Sequence, residues 1–150
     1  MFHRFHYEAE FYPTLSRLPL HVRMKLDLTG IKISLKDWLA FSFEERTVLC
    51  HLPIEAAEEI QAFTAYINFL SLKYLSKPAA MTDVMNSSLW SDAELPRPVD
   101  QKSRSCFSVV TLAEWARWQS HERYALYKTA VSQNQPEAFE QVLKQLREGK

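Results

Sequence analysis

The sequence predicts an all-α fold, and three observations lead there. The 150 residues hold only two glycines and no hairpin dipeptide, hydroxyl and carboxylate pairs that start helices recur along the chain, and one apolar run from Ile54 to Leu75 has helical period. The finer expectation is a compact helical domain, with two pseudo-twofold related helix-corner repeats around a long central helix and a short extended N-terminal arm.

The repeats rest on an ungapped match. Leu18 to His51 laid over Leu95 to Lys128, an offset of 77 residues, gives nine identities, among them Leu18/Leu95, Val22/Val99, Lys25/Lys102, Trp38/Trp115, Arg46/Arg123 and Leu49/Leu126. Ser34 with Asp37, and Thr111 with Glu114, place a hydroxyl at the N-cap and a carboxylate at N3, where the free N–H groups of a helix start need acceptors. Ser42 with Glu45 repeats the arrangement, and Gln119 or Ser120 ahead of Glu122 is a looser version. Each repeat therefore predicts two short helices meeting at a tight corner, broken at Phe41/Ser42 and Trp118/Gln119. Leu35, Trp38 and Phe41, like Leu112, Trp115 and Trp118, share a face at three-residue spacing and are expected in the core.

Taken in order, Phe5 to Phe11 alternates aromatic and polar side chains and is expected to be an extended arm. Pro19 to Leu28 is expected to be a helix with Pro19 at N1 and Gly30 at the left-handed position beyond its end. Gly30 to Ile33 then runs extended to the Ser34 cap. Leu52-Pro53 stops the first repeat, and Ile54 to Leu75 forms the longest helix, its seam drawn from Ile60, Phe63, Ile67, Leu70 and Tyr74. Residues 76–94 turn polar and are expected to be a surface loop pinned by Trp90. In the second repeat Pro98 and Asp100 to Ser103 weaken the first helix. A last amphipathic helix opens at Pro136 and buries Ala138, Phe139, Val142, Leu143 and Leu146. The organisation expected is a single domain over 1–150, with repeats at 18–51 and 95–128.

Eighteen basic residues balance eighteen acidic ones, so no positive footprint recruits nucleic acid or an anionic membrane. The helix pairs could suggest a DNA-binding helix-turn-helix, but Glu44, Glu45 and Glu122 put acids where phosphate would lie. No window has the length and apolarity of a membrane span. Cys50 and Cys106 lack CxxC spacing, the first residues lack the apolar core of a signal peptide, and the expected compartment is the cytoplasm. No nucleophile elbow, phosphate loop or zinc-protease motif is present, so no enzymatic activity and no cofactor are expected. His3, His6, Glu8 and Glu10 have metal-like spacing, which an extended arm would splay apart.

The run Val22-Arg23-Met24-Lys25-Leu26-Asp27-Leu28-Thr29-Gly30-Ile31-Lys32, within Leu18 to Trp38, closely resembles the nitrate-reductase-associated proteins of cyanobacteria and some proteobacteria. The likeness continues through Phe41-Ser42 to Leu52-Pro53 and resumes at Trp115 and at Glu122 to Lys128. Phe5 to Phe11 is also similar to that family's start. The resemblance implies a small cytoplasmic accessory protein of assimilatory nitrate reductase, an enzyme with a molybdenum cofactor and an iron–sulfur cluster, acting in its maturation. It carries over no catalytic residue. Where the family usually has a cysteine after the Leu-Pro, this chain has Ile54.

Two residue sets are candidates. Arg23, Lys25, Asp27 and Lys32 form the densest polar run of the family-like segment and are expected to make an exposed face that docks the reductase; the plain alternative is a solvated helix face. Arg46 and Arg123 follow glutamates at matching places and could converge on a planar oxyanion. The simpler alternative is that each pairs with the first helix of its own repeat. The same two sets separate an accessory protein from an anion-binding regulatory module, and oligomeric state is left open.

Overall fold

In the computed structural model, residues 2–132 and 136–148 are described. They are mainly helical, with eight α-helices and one two-stranded sheet among them. The chain divides into two compact units, Met1–Arg4 with Glu8–Met85, and Phe5–Tyr7 with Asn86–Lys150.

The first unit holds α1 (Leu20–Thr29), β1 (Ile31–Lys32), α2 (Leu35–Ala40), α3 (Phe43–His51), α4 (Ala57–Leu75) and β2 (Ala80–Met81). Its core joins Val22 and Leu26 of α1, Trp38 of α2, Leu49 of α3 and Phe63, Ile67 and Leu70 of α4. The corner between α2 and α3 has the expected chemistry. Ser34 and Asp37 cap one another reciprocally, as do Ser42 and Glu45, and the Phe41 N–H closes onto Trp38 O at 3.2 Å. Gly30 ends α1 at φ 74°, the left-handed conformation that glycine adopts without steric cost.

The second unit holds a 3-10 turn (Ser87–Trp90), α5 (Arg97–Ser105), α6 (Leu112–Arg117), α7 (Ser120–Val131) and α8 (Pro136–Arg147). Trp90, Trp115, Tyr124 and Leu126 are buried there, and so are all five apolar positions expected on α8. Thr111 caps α6 by accepting the Glu114 N–H, and Gln119 N–H donates to Glu122 at the start of α7. Helices α2 and α6 begin at Leu35 and Leu112, and α3 and α7 at Phe43 and Ser120, so both starts recur at the offset of the sequence match.

Several expectations are corrected. The Phe5 to Phe11 stretch is not an extended arm: His6–Glu8 is a 3-10 turn followed by further turns. The cause is Glu8, whose buried carboxylate accepts the Leu20 N–H at 2.9 Å and the Tyr12 hydroxyl at 2.7 Å, pulling the chain round onto the start of α1. Pro19 is the N-cap of α1 and has no side chain to cap with; Glu8 supplies the acceptor from outside the helix. Residues 76–94 are more than a surface loop. β2 pairs antiparallel with β1 in the register Ile31↔Met81 and Lys32↔Ala80, and Thr82 N–H donates to Gly30 O at 2.9 Å. Trp90 is buried, as expected.

Helix α5 is intact, because Pro98 falls in the first helical turn, where a missing N–H costs nothing. Leu35 and Leu112 lie outside the core, at 46% and 47% exposure. In both repeats they occupy the first position of a two-turn helix; of the other residues expected on that face, Trp38, Phe41 and Trp115 are buried and Trp118 is half-buried. The α4 seam is also narrower than expected: Phe63, Ile67 and Leu70 are buried, while Ile60 and Tyr74 are exposed.

Candidate functional site

The polar run of α1 and β1 divides in two. Arg23 and Lys32 are exposed and Asp27 is half-buried, while Arg23 Nε reaches back to Leu18 O at 3.3 Å. Lys25 corrects the expectation. It is only 1% exposed, and its Nζ donates to Leu49 O at 3.1 Å and Cys50 O at 2.8 Å. Those carbonyls end α3, where no further turn of helix exists to bond them. Lys25 is therefore an internal cap that ties α1 to α3, and it cannot meet a partner. Burial holds its ammonium down to about 8, and burial likewise pushes the neighbouring Cys50 thiol up to about 12. Cys50 is thus an inert core thiol; Cys106 is half-buried, and both are free.

Lys32 lines a cleft of about 130 Å³ in the first unit, together with Lys77, Asp37, Ser71, Phe41 and Ile67. Sequence reasoning missed this cleft, because Lys77 reaches it only through the pairing of β2 with β1, for which a two-residue strand leaves no periodic signal. Leu35, Leu39 and Phe43 add exposed apolar surface along α2 and the start of α3.

The two arginines differ. Arg123 Nε donates to Trp90 O at 2.8 Å and its Nη1 to Trp118 O, so the guanidinium fastens the 3-10 turn to the corner of the second unit. The bond to Trp118 O, at the end of α6, is the kind of contact the simpler alternative expects, whereas Trp90 lies outside the repeat at 95–128. Arg46 belongs to the first unit, and its buried Nε has no hydrogen-bond partner among the described residues.

Glu45 shows how cap chemistry sets charge. Burial would raise its carboxyl, but hydrogen bonds from the Ser42 N–H, Tyr74, Lys73 and the Ser42 hydroxyl outweigh it and hold the group near 2. Lys73 contributes from 3.0 Å. Glu8 is the opposite case: burial dominates its two hydrogen bonds and the nearby Arg23, and lifts it to about 7.

Among the described residues no group of three or more histidine, cysteine, aspartate or glutamate side chains could hold a metal ion. None of their helices is long and apolar enough to cross a membrane. Small capped helices and buried tryptophans define a mainly helical protein in which several polar residues serve its own helix ends. The chain belongs to the conserved nitrate reductase-associated protein family, whose model matches residues 4–146. No curated protein and no solved structure matches it.

Proposed function

We propose that this chain is a non-catalytic, cytoplasmic accessory protein that binds nitrate reductase and supports its activity or cofactor loading. The observation that carries this is the family match over nearly the whole chain. Its docking face is drawn from Arg23, Asp27 and Lys32, with Leu35, Leu39 and Phe43 as apolar contacts. Charged side chains together with exposed aliphatic and aromatic ones suit a protein partner. Lys25 drops out of that face. We also take the two matched stretches to be products of an internal duplication, the pseudo-twofold pair expected from the sequence; their common helix starts support it.

The test is a titration of the full chain against purified reductase in apo and cofactor-loaded forms. Binding to either form is expected, and Arg23→Glu with Lys32→Glu should weaken it by about tenfold or more. Failure to bind both forms would sink the reading.

A second reading is favoured by the unpartnered Arg46 Nε. In it, Arg46 contributes to a small-anion site in the first unit and the chain is a regulatory module of nitrate assimilation; Arg123, held by Trp90 O and Trp118 O, drops out of that site. Calorimetry with nitrate should then give a heat that Arg46→Gln removes; a flat titration of the native chain would end it.

A further inference from the structure

At the offset of the repeat, Gly30 corresponds to Phe107. Both are left-handed, at φ 74° and 56°, and both follow the end of a helix. At the first corner, β2 lies over the chain: Thr82 N–H bonds Gly30 O, and Ile31 and Lys32 pair with Met81 and Ala80. At the second corner the corresponding backbone, Phe107 to Val110, carries no strand. Among the described residues no hydrogen bond reaches Phe107 O or Val109 N–H. Arg147 holds Ser108 O at 3.2 Å and Val109 O at 2.9 Å, so the short edge is fixed in place, and a carbonyl oxygen can accept a second bond. Phe107 is 95% exposed and Val109 is 44% exposed. A phenyl side chain held in solvent on a backbone that disfavours β-carbons is costly twice over.

We propose that the edge Ser108–Val109 is a strand-acceptor site. Its occupant is an extended segment of a partner protein with small and apolar residues, of the kind β2 supplies to the first unit, where Ala80 and Met81 pair with Lys32 and Ile31. Main-chain bonds to Val109 fix the register, and the Phe107 ring receives the apolar side chain that follows. The occupant cannot track β2 beyond that point. A β-carbon on Gly30 would meet Thr82 O and Val84 Cγ2 at 2.9 Å each, and Phe107 has one, so the segment turns off against the ring. This goes beyond the reductase reading, since it concerns other residues and its test needs no reductase.

The probe is a blocked peptide of sequence Lys77–Met81, titrated to millimolar concentration into the isotopically labelled full chain and followed by amide shifts. The expected result is a shift of Ser108 and Val109 with slowed solvent exchange at Val109, both lost in Val109→Pro. A longer peptide, Lys77–Met85, should bind Phe107→Gly about tenfold more tightly than the native chain, because that corner then matches Gly30. This variant relieves the left-handed phenylalanine, so it keeps the fold. No shift at Ser108 and Val109, a shift confined to Ile31 and Lys32, or equal binding of the longer peptide to both chains would each overturn the proposal.

Discussion

In the first unit α3 stops at His51, and a buried lysine closes its last carbonyls. In the second, α7 passes the corresponding Lys128 and continues to Val131, so the carbonyls of Leu126 and Tyr127 lie inside the helix. Lys102, the counterpart of Lys25, is only half-buried. One residue type at one repeat position thus serves as a buried internal cap in one setting and stays half-buried in the other. The length of the next helix decides which. What the two stretches share is the corner: Trp38 Nε1 donates to Leu15 O at 2.8 Å and Trp115 Nε1 to Ser91 O at 2.7 Å, each ring fully buried.

The comparison is broken most directly at the tryptophans. Trp38→Ala and Trp115→Ala should each cost about 3–5 kcal/mol in denaturant unfolding, from lost packing plus an unbonded carbonyl. A tolerant Trp115→Ala would mean the second corner is not built as the first. Next comes the lysine pair. Lys25→Met leaves Leu49 O and Cys50 O without their donor and should cost about 2–4 kcal/mol, whereas Lys102→Met should stay within about 0.5 kcal/mol. Equal effects would remove the helix-length explanation.

Smaller effects are expected at the left-handed corners, and with opposite sign. Gly30→Ala adds a β-carbon that meets Thr82 O at 2.9 Å and should cost about 2 kcal/mol. Phe107→Gly should raise stability by about 1 kcal/mol, the steric penalty of a left-handed non-glycine residue. Thermal unfolding of the two variants beside the native chain checks both.

The corners were legible in the sequence because cap chemistry is local. A hydroxyl three residues ahead of a carboxylate fixes a helix start whatever surrounds it, and Ser34, Ser42 and Thr111 all did so. The last helix was legible because its apolar spacing repeats over twelve residues. Lys25 and Glu8 were not, because both act on helix ends far away in the chain, at Leu49–Cys50 and at Leu20. A charged residue in an amphipathic helix has the same pattern whether it meets solvent or a buried carbonyl, so Lys25 took its place in a docking face it does not share. The exposure of Leu35 and Leu112 was hidden for a related reason: a two-turn helix is too short for its period to say whether its first apolar residue faces in.

The N-terminal turn gives the last contrast, in the response to pH. Helix α1 takes its acceptor from Glu8, while α5 has Pro98 in its first turn and one fewer N–H to satisfy. Burial lifts the Glu8 carboxyl to about 7 in the folded chain from an ordinary value near 4.5. Between those values the folded state binds more protons than the unfolded one, so Glu8's contribution is fully present below about 4.5 and falls as pH rises through 7. Unfolding free energy from this source should drop by about 1 kcal/mol between about pH 6 and about pH 7.5. Glu8→Gln can still accept the Leu20 N–H, so it should flatten that slope with little loss of stability at the acid end. Burial also holds Lys25 down to about 8, which makes its contribution rise with pH from about 8 to about 10.5, outside this window. A slope between pH 6 and pH 7.5 that survives Glu8→Gln would place the titrating group elsewhere and remove Glu8 as the source of the difference between α1 and α5.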